Sequence, residues 1–544
     1  MAQKSMSVWA VAALLLFAGP GWAQDISVAR LSNDIRDLST DGLMGRQAGG
    51  PGEAPTLAFL QARYEALGLS PGGRDGQWLQ PVDLYRFVPA RPSVASWTAA
   101  DGQRRPLDPA VDVLLRAGND SGEARIVDAA VVFVGYGIHA PERDWSDYGD
   151  VDVRGKVVII MAGEPDGDRF NGAVPTLYAS TGYKLAEASK RGAVAVLTLV
   201  MAPRTDRGWL GAGRTGAGAR TRIPGLDTVD ANGAINRDTA TAWAQAGGLS
   251  VASLARFGDG NFKAVELRGV QLSLDIAETR EVVRTHNLLA RLEGTERADQ
   301  TVIYSAHWDH LGVAAPDAQG DTVFNGAWDN ASGTAGVLEL ARLIAGGRRP
   351  ERSVVFLHTT AEEMGLLGAQ AYGLDPVYPL ATTVADLNID MLPMGPPTRD
   401  LPITGHGQNT LEDDLQVLAA EQGRTVVDDG QPERNLYFRS DHFAFARAGV
   451  PALMTWHGVD RLDGGREAGL AAYQSGFQTI YHQRDDEWRA DMDWSGAVED
   501  LRLLYRLGLT LADSEAWPGW KTGSEFRAIR EASDGERTSA IPAP

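Results

Sequence analysis

The chain has 544 residues, 44% hydrophobic and 22% charged, a balance that excludes a disordered or collagen-like polymer and leaves room for several folded domains. Its 71 acidic residues outnumber 51 basic ones, for a formal charge of −20, which argues against nucleic-acid binding. There is no cysteine, so disulfides, thiolate metal ligands and a cysteine-linked lipid anchor are excluded.

Residues 1–23 carry Lys4, the apolar run Val8 to Ala18 and the small-residue site Gly21-Trp22-Ala23. This is the pattern of a secretory signal, and it is too short for a spanning helix. The reading is export to a periplasm or the medium, with no membrane association after the signal is removed. Residues 24–124 form a lead-in to be packed on a larger domain. Leu57, Leu60, Tyr64 and Leu67 recur at helical spacing, with Gly68 as the stop. Residues 70–110 are expected to be irregular or β.

From 125 to 277 the pattern turns to short β-type runs, Val131–Val134, Val157–Ile160 and Ala193–Val200, with a helix over 183–190 and a Gly- and Arg-rich loop over 207–225. His139 is the sole histidine here, so the block is a poor home for a metal. Over 278–515 strands alternate with helix patterns at 332–346, 410–422 and 495–513. The expected class is α/β, a mainly parallel mixed sheet flanked by helices, with the β-rich block inserted. Residues 516–544, charged and containing Pro and Ser, read as a loosely ordered tail.

Five metal-ligand-type side chains, His307, Asp329, Glu363, Asp390 and His482, each follow an apolar run. In an open α/β sheet, strand ends are where ligands bind. Together the five read as a two-metal hydrolase site, with His307 and Asp390 on one cation, Glu363 and His482 on the other, and Asp329 on both. Asp309 lies two residues beyond His307, on the same face of an extended strand, and there its carboxylate would accept the imidazole N–H. Of the adjacent acids Glu362 and Glu363, one can bind metal while the other takes a proton. The pair is equally the start of a helix that profits from the macrodipole, and Asp329 is equally an N-cap. Nitrogen and oxygen donors without sulfur suit Zn2+, with Co2+ or Mn2+ as substitutes.

The segments Ser305–Gly312, Asp329–Gly333, Thr360–Gly368, Asn388–Met391, Ser440–His442 with Gly449–Pro451, and Tyr481-His482 closely resemble, in order, those of the secreted bacterial leucyl-aminopeptidases. These are cocatalytic zinc exopeptidases, and the wider family includes glutamate carboxypeptidase, glutaminyl cyclases and the non-catalytic transferrin receptor. The resemblance implies a zinc exopeptidase fold and two Zn2+ bridged by Asp329. It also implies Glu363 as a ligand, Glu362 as general base toward a metal-bridging water, and Tyr481 as a hydrogen-bond donor to the oxyanion. The substrates implied are peptides, cleaved at the N-terminus. Val134–Ile138, Trp145–Tyr148 and Val153–Val158 resemble the start of a protease-associated domain. Carboxypeptidase or dipeptidase action, glutaminyl cyclisation and a non-catalytic peptide-binding module are the alternatives on the same scaffold.

Two segments depart from the relatives. Gln483-Arg484-Asp485-Asp486 replaces the usual small residue, Pro and acids, and Met391-Leu392-Pro393-Met394 replaces Met, a small apolar residue and Gly. Both sit where substrate side chains could bind.

Overall fold

The computed structural model describes residues 25–539 apart from 171, 173, 174, 217, 227, 250–263, 432 and 433; the signal-like segment 1–23 lies outside them. Four parallel strands run in the order Ala452–Met454, Thr383–Asn388, Arg297–His307, Arg352–Thr359. The next strand, Val265–Leu292, pairs antiparallel with Arg352–Thr359 through its carboxyl-terminal third. Its amino-terminal part pairs with Glu123–Phe133, which opens a second parallel ladder continuing through Val157–Met161, Ala195–Val200 and Ala231–Asn236. One 28-residue strand thus joins the first ladder to the second, whose strands precede those of the first in sequence.

Period-two alternation explains how the first ladder is covered on both faces. Val302, Tyr304, Val354 and Phe356 point into the cluster containing Val337, Leu340, Leu504 and Leu507, on helices Ser332–Gly346 and Ser495–Asp513. Their neighbours Ile303, Val355 and Leu357 point the other way, against Tyr372 and Phe445. The observed class is the expected one, mixed α/β with a helix-flanked sheet. Helix Ser332–Gly346 coincides with its expected span.

Three expectations fail. The strands Val94–Thr98 and Val113–Ala117, placed with the lead-in, pair with the second ladder. Such pairing across long sequence separation leaves no local trace. The loop expected over 207–225 contains helix Arg207–Gly216 and strand Arg220–Arg222; Trp209 is buried and anchors the helix despite its glycines. Nor is the segment after 515 loose through 539: Phe526 and Trp520 are buried, Trp520 donates to the Gly449 carbonyl at 2.9 Å, and helices Arg527–Glu531 and Asp534–Ser539 follow. Its aromatic residues outweigh its polar composition.

Candidate metal centre

The carboxyl ends of the first ladder deliver the acids and imidazoles. Strand Arg297–His307 ends on His307, strand Arg352–Thr359 leads to Glu362 and Glu363, and strand Thr383–Asn388 leads to Asp390. Asp329 precedes helix Ser332–Gly346, and His482 follows helix Gly465–Thr479. Nε2 of His307 lies 3.3 Å from both Asp329 Oδ1 and Asp390 Oδ1. Nε2 of His482 lies 3.0 Å from the other Asp329 oxygen, Oδ2, and 3.1 Å from Glu363 Oε2. All five sequence-selected ligand candidates therefore converge, and the two oxygens of Asp329 face different imidazoles.

The alternative local readings do not apply. The N-cap of helix Ser332–Gly346 is Ala331, not Asp329, and the helix after Glu362-Glu363 starts only at Leu367. Ala361, Met391 and His482 hold left-handed backbone, at φ 53°, 58° and 58°. Residues with a β-carbon adopt that region only where surroundings enforce it, and such strain gathers at functional sites.

Asp309 departs from expectation. The strand ends at His307, so the same-face rule lapses one residue later. His307 Nδ1 sits 3.1 Å from the Asp309 carbonyl oxygen but 3.7 Å from its carboxylate. A proton on Nδ1 donated to that carbonyl leaves the Nε2 lone pair facing Asp329 and Asp390. The Asp309 carboxylate instead accepts the Glu362 backbone N–H at 3.1 Å, and so orients the acid pair.

Several functional positions were not singled out by sequence. His310 Nδ1 is 2.6 Å from Glu363 Oε1, and His310, Asp329 and Glu363 form a second potential cation cluster beside His307, Asp329 and Asp390. The available signal was its place three residues after His307. A β-carbon on Gly326 would lie 2.6 Å from the His310 ring, so only glycine fits there. Buried Asp486 accepts from the backbone N–H of Trp328 at 2.7 Å and of Asp329 at 3.0 Å, so the acid that closes the segment after His482 holds the loop of the bridging candidate. Asn330 donates to the Ile389 carbonyl and accepts from the Met391 N–H, both at 3.0 Å, fastening the Asp329 loop to the Asp390 loop.

Arg46 clamps the same region from the lead-in. Its guanidinium donates to the carbonyls of Trp308 (2.9 Å), Leu38 (2.6 Å), Asn325 (2.6 Å) and Gly326 (2.8 Å). Burial lowers its pKa to about 10, which leaves it cationic at neutral pH beside the acids. Tyr481 stacks on His482 with ring centroids 3.8 Å apart, and Arg439 Nη2 reaches its hydroxyl at 3.4 Å. Ser440 accepts from Asn388 Nδ2 at 2.7 Å, and Asp441 accepts from the Thr359 hydroxyl; both support strand ends.

The electrostatics are those of charges packed together. Burial raises Glu362 well above the ordinary carboxyl value, helped by Asp390 and Glu363. Burial likewise raises Asp309 to about 8. Burial opposes a proton on His482, yet Asp329 and Glu363 raise it to about 10. Asp329 is held low, against its own desolvation, by His307 and His482. Neighbouring carboxylates repel unless cations or protons compensate.

The donors fit zinc. Tetrahedral bonds of about 2.0–2.1 Å imply donor separations of about 3.3 Å, and here they are 3.0–3.3 Å. His482 Nε2 is buried and faces two carboxylate oxygens at 3.0 Å and 3.1 Å without hydrogen-bond geometry to any of the described residues, as a ligand nitrogen would.

Comparison with known proteins bears on the same region. Residues 287–505 match the model of peptidase family M28. A probable zinc metalloprotease of Pyrenophora tritici-repentis is 38% identical over 112 residues, 20% of this chain and 25% of that protein. The aminopeptidase NAALADL1 of Rattus norvegicus is 30% identical over 139 residues, 24% of this chain and 16% of its own length. The chain thus spans a quarter or less of these curated relatives. Among solved structures, an aminopeptidase from Aneurinibacillus sp. strain AM-1 aligns with TM-score 0.47 and 19% identity, over 92% of this chain and 96% of that one. A zinc aminopeptidase from Bacillus subtilis aligns with TM-score 0.41 and 17% identity, over 92% and 97%.

Proposed function

We propose, from the match of residues 287–505 to the model of peptidase family M28 and from the geometry above, that this chain is an exported zinc metallo-exopeptidase that removes N-terminal residues from peptides. The observation that carries the reading is Asp329, whose two oxygens lie 3.3 Å and 3.0 Å from two different imidazole nitrogens. A carboxylate so placed can serve two cations at once. His307 and Asp390 would complete one site; Glu363 and His482 would complete the other, with His310 beside Glu363. When bound, two Zn2+ would polarise the scissile carbonyl and acidify water.

The remaining work falls to the chain's own groups. Glu362 is the proton carrier. Its pKa, raised by burial, makes it a stronger base than a free carboxylate, suited to take a proton from water at its oxygen and return it to the leaving nitrogen. The Asp309 carboxylate fixes Glu362 through its backbone N–H. The Tyr481 hydroxyl donates to the substrate carbonyl oxygen as negative charge grows there; burial raises its pKa, so it stays protonated and able to donate. Arg46 holds the loops bearing His307 and Asp329 in register.

No helix among the described residues is long and apolar enough to cross a membrane, and residues 1–23 fit an export signal. The second ladder fits a protease-associated insert, since Ser180 and Gly182 lie with Glu363 and His482 along one cavity.

The test is turnover of matched peptides by the zinc-loaded chain. Peptides with a free amino terminus should be cleaved and their N-acetyl counterparts spared. Cleavage of N-blocked but not of C-amidated peptides would overturn the aminopeptidase assignment in favour of carboxypeptidase action.

A further inference from the structure

We propose that Arg434 and Arg439 form a carboxylate-recognition site in the cleft, so that the enzyme selects peptides bearing a carboxylate next to the scissile bond. The inference rests on the peptidase reading above and adds its substrate class. A cavity of about 230 Å³ opens from Glu362 and Asp390 to Trp456 and Phe477, and both arginines line it. The acids lining it are Asp329, Glu362 and Asp390, all committed to the metal centre. Among the described residues lining the cavity, no acid is left to pair with these arginines or to receive a cationic side chain.

The two guanidiniums are held but unspent. Arg434 lies over the rings of Phe477 (4.6 Å) and Tyr473 (5.7 Å), which fixes its plane through the ring faces while using none of its N–H donors. Among the described residues Arg439 reaches only the Tyr481 hydroxyl, at 3.4 Å. Among the described residues neither forms an ion pair. The chain carries 71 acids against 51 bases, and other arginines near the site are engaged. Arg484 donates to the Ala315 carbonyl at 2.6 Å and lies 3.9 Å from Asp317, while Arg461 and Arg489 sit 3.3 Å and 3.4 Å from Asp463 and Asp491. Planar donors with free N–H groups match a carboxylate in two-pronged fashion. The cavity, about 230 Å³, is large enough for one such group and its stem.

The carboxylate can come from an acidic side chain or from the carboxyl terminus of a dipeptide. Three pairs separate these sources: Glu-Leu amide against Gln-Leu amide, Leu-Glu amide against Leu-Gln amide, and Leu-Leu against Leu-Leu amide. For each, kcat/KM is measured on the zinc-loaded chain, and affinity is measured by calorimetry on the Glu362→Gln protein. At least one pair should favour the acid by about tenfold, the size of one charge-assisted contact. Arg434→Gln and Arg439→Gln should each bring that ratio to about threefold or less, and Arg434→Lys should restore part of it. Ratios near one for all three pairs in the parent, or a preference that survives both glutamine variants, would overturn the site. Acid-selective binding without any turnover would instead sink the peptidase reading and leave the carboxylate site standing.

Discussion

The molecule contains two parallel ladders joined by one long strand, and their carboxyl ends treat buried charge differently. In the inserted ladder, the strand ending at Met161 is closed by Lys184, whose ammonium donates to the Met161 carbonyl at 2.8 Å and to the Gly163 carbonyl. Asp147 there accepts from the Ile138 N–H at 2.9 Å and the Trp145 Nε1–H at 3.0 Å. Both of these charged groups find neutral protein partners. In the peptidase-like ladder, carboxylates and imidazoles face one another at 3.0–3.3 Å, and among the described residues His482 Nε2 makes no hydrogen bond of ordinary geometry to either acid. Burial of charge alone does not mark a site; converging buried carboxylates and imidazoles that protons or cations must balance do.

Removing charge from the two ladders should therefore have different consequences. The largest effect is expected from Glu362→Gln, which should lower kcat by about 10²–10⁴-fold while zinc content and melting temperature hold. Near-normal peptide hydrolysis by that variant would remove Glu362 from its role. In the other ladder, Lys184→Met strands two carbonyls and should cost about 1–3 kcal/mol of stability, read by denaturant unfolding, with kcat unchanged in the folded protein. A selective loss of turnover there would erase the contrast.

A smaller effect sharpens the comparison inside the peptidase-like ladder. His358 is buried, its Nε2 2.6 Å from the Tyr64 hydroxyl, and burial lowers its pKa to about 3. It is neutral in the fold, whereas the unfolded chain takes up a proton below about pH 6.5. Its contribution is therefore present above that pH and is lost as pH falls. Relative to His358→Gln, the parent should lose roughly 1.4 kcal/mol per pH unit between about 6.5 and 4. A pH-independent difference between the two would show that the imidazole is not held neutral.

Much of this organisation was legible because it is local. Apolar periodicity locates helices Ser332–Gly346 and Ser495–Asp513, and the five ligand-type residues stand out where apolar runs break. What was missed depends on geometry beyond a few residues. The Asp309 carboxylate turns to the Glu362 N–H because the strand stops at His307, which residue spacing does not encode. His310 reaches Glu363 only through the loop that Gly326 leaves open. Strand Val113–Ala117 joins a sheet built mostly from later residues. After residue 515, polar composition concealed Trp520 and Phe526, whose burial orders the segment.

Counting zinc bears most directly on the claim that these imidazoles and carboxylates share a pair of cations. Equilibrium dialysis of the purified chain, followed by elemental analysis, should give two zinc ions per chain, with Asp329→Ala falling to one or fewer. A parent that binds one zinc or none, or an Asp329→Ala chain that keeps two, would contradict it.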